Sequence, residues 1–600
     1  MMMAMEENYE TKQSSSSWCL ASCINSSCVQ NGPTLANVPN SASQSSATNP
    51  KNHRGGWKAV SFILGNETFE RLAVFGLFAN FMVYLTRELH LDQVYAANIV
   101  SIWFGVTNFA PLFGAFISDA YIGRFCTIAL ASFATLSGLM VVTLTSCFPQ
   151  LHPPPCTPQQ LASSRCVKAN NYQMSVLFLG LCLLTIGSAG VRPCSIPFGV
   201  DQFDPTTNEG KKGINSYFNL YYTTFTMVLL FTQTVVVYIQ ETVSWKIGFG
   251  IPTFFMFCSV IMFFVGTRLY VYVIPEGSIF SGFAQVLVAA YRKRKLNLPM
   301  SEEEKLDGFY YDPPLTGTTV LSKLPLTKQF RVLNKAALIM EGELNPDGSR
   351  VSKWRVASIQ QVEEVKCITR IIPVWVAGIL SLTPMTQQGT FIVLQALKMN
   401  RHIGPKFQFP AGSQGVISLI TIALWLPFYD RILVPKLRKI TKHEGGITIF
   451  QRIGIGIVFS ILSMVVAGFV EKVRRDLANS NPTPLGIAPM SVFWLAPQLI
   501  LLGFNEAFSA IGQIEFFNRQ FPEHMRSIGN SLFWCSFAVS NYVSSILVNI
   551  VHHATKTHNH PDWLTNNIND GRIDYFYYLI GGLATLNMVY FIYVARRYQY

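Results

Sequence analysis

From Trp57 to Tyr598 the chain alternates long apolar runs with short polar breaks. An apolar run near twenty residues is the length a helix needs to cross a hydrocarbon core of about 30 Å. Twelve such runs can be placed. Six lie at about 59–86, 94–118, 125–147, 174–198, 215–238 and 247–274, and six at about 369–397, 413–429, 450–470, 490–512, 526–551 and 574–596. Between the two sets lies a polar stretch, about 275–368, which opens on Arg292-Lys293-Arg294-Lys295. The pattern predicts an all-α membrane protein with a tail over 1–56, a six-helix bundle over 57–274, a linker loop over 275–368 and a second six-helix bundle over 369–600.

Composition supports this reading. Half of the residues are hydrophobic and 13% are charged, against about 25% charged in soluble domains. The tail is rich in Ser, Asn and Gln and carries too little apolar content to fold. Its apolar fragment Trp18-Cys19-Leu20 is too short for a signal peptide, so the first span is expected to direct insertion. The formal charge of +13 comes largely from Lys and Arg in the linker and near the span ends. The linker, Lys211-Lys212 and the run from Arg431 to Lys442 share one side, which the positive-inside tendency makes cytoplasmic, together with both termini. Lys472, Arg474 and Arg475 fall on the other side and break the pattern. Basicity beside the membrane points to anionic lipid head groups as partners, not to nucleic acid.

No Gly-x-Ser-x-Gly, Walker-type or Gly-x-Gly-x-x-Gly motif is present, so hydrolase chemistry, ATP-driven transport, an enzyme and a bound cofactor have no support. The twelve cysteines have no metal-ligand spacing, and no metal site is expected. Cys156 and Cys166 share the loop after the third run, where they are either bonded or free thiols.

The chemistry concentrates in the apolar runs. Glu67, Glu70 and Arg71 stand at i, i+3 and i+4 of the first run and so share one helix face. Each ionisable group at bilayer depth costs roughly 2.5–3.5 kcal/mol, so the face must meet a polar cavity or partner helices. Two carboxylates beside one guanidinium form either a proton-binding site or a salt-bridged packing point. In the fourth run Arg192 lies in Gly187-Ser188-Ala189-Gly190-Val191-Arg192-Pro193, where a break in the helix is expected to free backbone groups. Glu506 lies in Gly503-Phe504-Asn505-Glu506-Ala507-Phe508 of the tenth. A lone Arg in one half and a lone Glu in the other suggest a pair across the interface, either permanent or made and broken as the halves rock. Asp119 and Gly123-Arg124 end the second run in a tight turn whose charge pair is expected to govern gating geometry.

These residues carry a family resemblance. Glu67-Thr68-Phe69-Glu70-Arg71 resembles the Glu-x-x-Glu-Arg motif of the proton-coupled oligopeptide transporter family, within the major facilitator superfamily. Phe113 to Arg124, Arg192-Pro193-Cys194 with Phe198 to Asp204, Phe218 to Tyr222, and Glu506 with Gly512 to Phe517 resemble further signatures of that family, in matching order along nearly the whole chain. Gln360 to Lys366, Gln387-Gln388-Gly389-Thr390-Phe391 and Phe516 to Ser527 are similar to the plant nitrate/peptide branch, in the subfamily of low-affinity nitrate and glucosinolate or other glucoside carriers. The resemblance implies two six-helix bundles working by alternating access with proton symport. It also implies proton coupling by Glu67, Glu70 and Arg71, and a bridging pair of Arg192 and Glu506.

Departures from the family pattern bear on substrate. Peptide-carrying relatives place two adjacent tyrosines shortly after the Arg, where this chain has Val74 and Phe75, which disfavours oligopeptides. A nitrate carrier of the branch uses a histidine in its seventh helix, where this chain has Met385. Nitrate then needs Arg192 or Arg71 as its cationic contact. A glucoside would use a cavity lined by Phe75, Tyr221, Trp375, Gln387 and Phe391. The resulting expectation is a proton-coupled symporter of nitrate, with glucosides or related specialised metabolites as the alternative. A peptide carrier and a nitrate-binding sensor that moves little are more distant readings. The plasma membrane is the expected location, with the tonoplast as the alternative.

Overall fold

A computed structural model describes residues 55–156, 166–204, 207–272, 279–296, 309–313, 324–405, 407–442, 446–483, 486–521, 526–556, 562–565 and 567–598. The expected tail, 1–56, lies almost wholly outside them. Among the described residues twelve helices are long and apolar enough to cross a membrane. The first six are Gly56–Glu88, Gln93–Ile117, Arg124–Cys147, Asn171–Val200, Asn208–Val243 and Trp245–Leu269. The second six are Ile359–Leu397, Ala411–Thr441, Ile449–Ser480, Val492–Phe517, Ser531–Thr555 and Ile573–Arg597. They correspond one for one to the expected runs, and the chain is a multi-pass all-α membrane protein of two six-helix bundles.

Local chemistry sets several boundaries. Reciprocal capping boxes start the fourth span (Asn170 with Gln173), the seventh (Ser358 with Gln361) and the ninth (Thr448 with Gln451). Short strand pairs outside the spans, Met399–Asn400 with Ala488–Ser491 and His402–Ile403 with Phe407–Gln408, tie down the connections near the ends of the seventh and ninth spans.

The linker departs from expectation. The seventh span begins at Ile359, ten residues before the expected start at 369. This stretch falls within the expected polar linker, but its charged Glu363 and Lys366 pair with each other at 2.6 Å, and Lys366 also donates to the Thr327 carbonyl at 2.8 Å. Upstream, helix Ile279–Arg292 packs Val286, Ala289 and Ala290 against Ala336, Ala357 and Val362, forming a small core within the linker. Lys293 is buried there on Glu343, at 2.7 Å.

The second bundle accounts for two of the three basic exceptions, while Lys472 stays exposed. Arg474 is fully buried and grips Glu471 with Nε and Nη2 at 2.7 and 2.8 Å, while its Nη1 donates to Asn569 at 2.7 Å. Arg475 faces Asp574. Both charges are neutralised inside the protein and do not weigh on topology as free surface charges would. Truncating one member of the buried pair strands the other. Glu471→Leu should therefore destabilise by roughly 3–5 kcal/mol, and the double change Glu471→Leu with Arg474→Leu by less. Thermal unfolding of the purified variants measures the order.

An even number of spans puts Gly56 and Arg597 on one face, called here the terminal face. The bundles are latched at the opposite face. Glu241, at the end of the fifth span, accepts from Arg401 of the second half and from the Ala411 backbone N–H at 2.8 Å, with Arg87 3.8 Å away. Asn98 accepts from Ser545 at 2.6 Å and from Asn549 at 3.2 Å. Gly412 seats directly on the first span: a Cβ there would lie 2.8 Å from Asn80 Oδ1 and 2.9 Å from the Ala79 carbonyl.

Candidate functional site

The rotation of the first span is fixed by Asn66, whose side chain bonds Ser132 of the third span at 3.1 Å and Ser259 of the sixth at 3.0 Å. One residue on, Glu67 faces the fifth span. Arg71 donates to Glu67 Oε1 from Nε and Nη2 at 2.8 and 2.6 Å, and the Tyr221 hydroxyl donates to the same oxygen at 2.6 Å. Arg71 also contacts the Tyr221 hydroxyl and lies 4.7 Å over the Phe225 ring. A cavity of about 10 Å³ borders Glu67, Arg71, Tyr221 and Phe225. It is near the smallest space that admits one water and far too small for a metabolite.

Glu70 turns instead to the fourth span, where Ser188 donates to its Oε1 at 2.9 Å. Its Oε2 has no partner among the described residues, and the residue is fully buried. The two carboxylates are thus inequivalent. Each keeps an Oε2 without a partner among the described residues, but Glu67 Oε1 is held by a guanidinium and a phenol, whereas Glu70 Oε1 is held by one serine hydroxyl.

Arg192 lies one turn beyond Ser188. Its Nη1 reaches Asn108 Oδ1 at 3.5 Å and its guanidinium lies 5.7 Å over the Phe75 ring. Its Nε and Nη2, both buried, have no partner among the described residues. The helix break expected here does not form, since the fourth span runs unbroken through Pro193 and Pro197. The Ala189 carbonyl, which loses its helical donor to Pro193, packs so closely on the second span that a Cβ at Gly114 would lie 1.8 Å from it.

Glu506 opens a π-helical turn, Glu506–Ala510, inside the tenth span, a distortion often found at functional sites. It is not paired with Arg192 in this conformation. The two charges are brought to the interior of their own bundles but not to each other.

The remaining candidates divide. Phe75 stays beside Arg192 and meets Phe225 edge to face at 6.0 Å. Tyr221 serves Glu67 directly. Trp375 and Phe391 are both engaged by neighbouring helices. The Trp375 indole donates to the Leu532 carbonyl at 3.0 Å, and Phe391 is buried against Phe576 at 5.4 Å, because the seventh span is packed by neighbours on several sides. Gln387 donates to the Ser544 carbonyl at 3.1 Å. The Asp119 side chain lies outside the described residues, while Arg124 pairs at 2.5 Å with Asp201 at the end of the fourth span. Cys156 and Cys166 are joined, with Cα atoms 5.5 Å apart. His90 lies beside them, but sulfurs in a disulfide are not thiolate donors.

Sequence reasoning missed Ser188, Asn108 and the Glu241–Arg401 latch. Ser188 was findable, because it precedes Arg192 by one helical turn.

Two latched six-helix bundles with ionisable groups buried in both define a membrane transporter. The family model described as PTR2, POT family, matches residues 125–564, and this chain belongs to that family. It is 62% identical to Protein NRT1/PTR FAMILY 2.13 of Arabidopsis thaliana over 91% of this chain and 87% of the relative. With NRT1/PTR FAMILY 2.12 of the same plant it shares 57% over 92% and 93%. Among solved structures, an auto-inhibited POT family peptide transporter superposes with a TM-score of 0.66 at 20% identity, covering 90% of this chain and 98% of that one. A POT family transporter in complex with 5-aminolevulinic acid gives 0.60 at 11%, covering 91% and 99%. At these identities the structures establish the fold.

Proposed function

We propose that this chain is a proton-coupled symporter of a small anion, with nitrate as the substrate, working by alternating access between its two bundles. The observation that carries the reading is Arg192: a guanidinium whose buried Nε and Nη2 are unengaged among the described residues, set against an aromatic ring and one turn beyond Ser188, which donates to Glu70. A planar guanidinium matches a trigonal oxyanion through paired N–H donors. Glu67, Glu70 and Arg71 would exchange the proton. In this reading the terminal face is cytoplasmic and the membrane is the plasma membrane, so the latch at Glu241–Arg401 closes the outside and the conformation is open inward.

A glucoside needs aromatic surface and hydrogen bonds. Of the aromatic residues proposed to line its cavity, Phe391 is buried against Phe576 and Tyr221 is bonded to Glu67, which leaves less free aromatic surface and supports the anion. Two-electrode recording and uptake in oocytes at acidic external pH, with nitrate, a dipeptide and a panel of glucosides, test the reading. Arg192→Lys keeps the charge but loses the planar fork, so nitrate uptake should weaken while a measurable current remains. Strong glucoside accumulation with no nitrate above water-injected controls rejects nitrate and leaves the transporter assignment intact.

A further inference from the structure

Inside the second bundle, buried polar side chains run lengthwise where the seventh, ninth and tenth spans meet. The seventh span contributes Ser381, Gln388 and Gln395 at seven-residue intervals, all fully buried. Gln388 donates to Ser463 of the ninth span at 2.7 Å, Ser463 donates to the Gln498 carbonyl of the tenth at 2.8 Å, and Gln513 donates to Ser381 at 3.1 Å. Between Arg452 and Arg474 the ninth span rises about 33 Å, the thickness of a hydrocarbon core.

Hydrogen bonds between helices commonly hold membrane bundles together, and such bonds would explain the column if it were saturated. It is not. Gln498 and Asn505, both fully buried, have neither amide atom bonded to any described residue, and Gln388 Oε1, Gln513 Oε1 and Ser460 Oγ are in the same position. Folded proteins rarely tolerate buried amides without partners. The unengaged set contains N–H donors as well as oxygen acceptors. A cation would satisfy only the oxygens and an anion only the N–H groups, whereas water serves both.

We propose that this column is a water-binding site, a file of ordered water held along the seventh, ninth and tenth spans. Its two ends differ. Toward the face opposite the termini it is sealed by Gln395, Glu471 and Arg474, whose contacts are saturated. Toward the terminal face it ends at Arg452 and Glu515, 3.1 Å apart, with the Glu515 side chain 17% exposed. The file is therefore a blind crevice filled from the terminal face, and the sealed end prevents a continuous proton wire across the membrane. It passes behind the π turn that carries Glu506, where Arg452 donates to the Ala507 carbonyl at 3.3 Å. The site is independent of the Glu67–Glu70–Arg71 cluster and of any choice of substrate.

The sign of a stability change tests it on the purified full-length protein in nanodiscs. In a dry column, Asn505→Leu or Gln498→Met removes an unbonded amide and Tm rises. In a hydrated one, the substitution strips the waters of a partner, and Tm is expected to fall by roughly 2 °C or more. A rise, or no change, in both variants overturns the proposal. Should the variants not fold, a cryo-EM map of the wild type that resolves waters elsewhere decides. Density at hydrogen-bond distance from the Asn505 and Gln498 amides is expected, and a featureless column overturns the proposal.

Discussion

Glu70→Gln is expected to reduce proton-gradient-driven uptake to the level of water-injected oocytes while leaving membrane insertion intact. The amide has nearly the same shape and can still accept the Ser188 hydroxyl, so packing around the residue is kept. What it loses is the carboxylate oxygen that has no partner among the described residues. Because Glu67, Glu70 and Arg71 interact, their protonation belongs to the set rather than to one side chain. Ser188→Ala is the control: losing one hydrogen bond should change the coupling by about 1 kcal/mol, a partial defect. Uptake compared at acidic and neutral external pH, with surface protein measured in parallel, separates the two. Glu70→Gln uptake that still rises with an imposed gradient would sink the assignment.

The second large effect concerns Arg192 and Glu506. In this conformation they stand apart while the bundles are latched at the opposite face through Glu241 and Arg401. We propose that they pair when the bundles close on the terminal face, so that one ion pair is exchanged for another during the cycle. An ion pair at 4 Å contributes about 4 kcal/mol at an effective dielectric of 20, enough to shift a two-state equilibrium by nearly a thousandfold. Arg192→Ala and Glu506→Ala should each be nearly inactive, and Arg192→Glu combined with Glu506→Arg should recover some transport. Crosslinks or structures that keep the two side chains more than about 10 Å apart in every state, beyond charge-pair reach, would remove the pairing.

The twelve spans could be read in the sequence because length and hydropathy are strong signals for a chain in lipid. Partners were harder. Glu67 and Arg71 are four residues apart and their pairing follows from helix geometry, but Tyr221 reaches Glu67 from a span 154 residues away, which no local pattern records. The seventh span buries polar residues such as Ser381, Gln388 and Gln395 among its apolar ones, so its sequence does not reveal whether Trp375 and Phe391 face a partner helix or a cavity. The span starts ten residues before the expected 369, inside the stretch assigned to the polar linker, although the Ser-x-x-Gln signal of its capping box, Ser358 to Gln361, was present in the sequence.

That early start has a mechanical consequence. At 39 residues the seventh span is about 58 Å long, nearly twice the hydrocarbon thickness of about 30 Å. Its terminal-face end reaches into the linker, where Glu363 accepts from the Thr327 N–H and hydroxyl and Lys366 grips the Thr327 carbonyl. Like a tiller, the helix converts a small tilt of the second bundle into a wide sweep of the linker. A load that holds the linker still therefore restrains the bundle through the same beam.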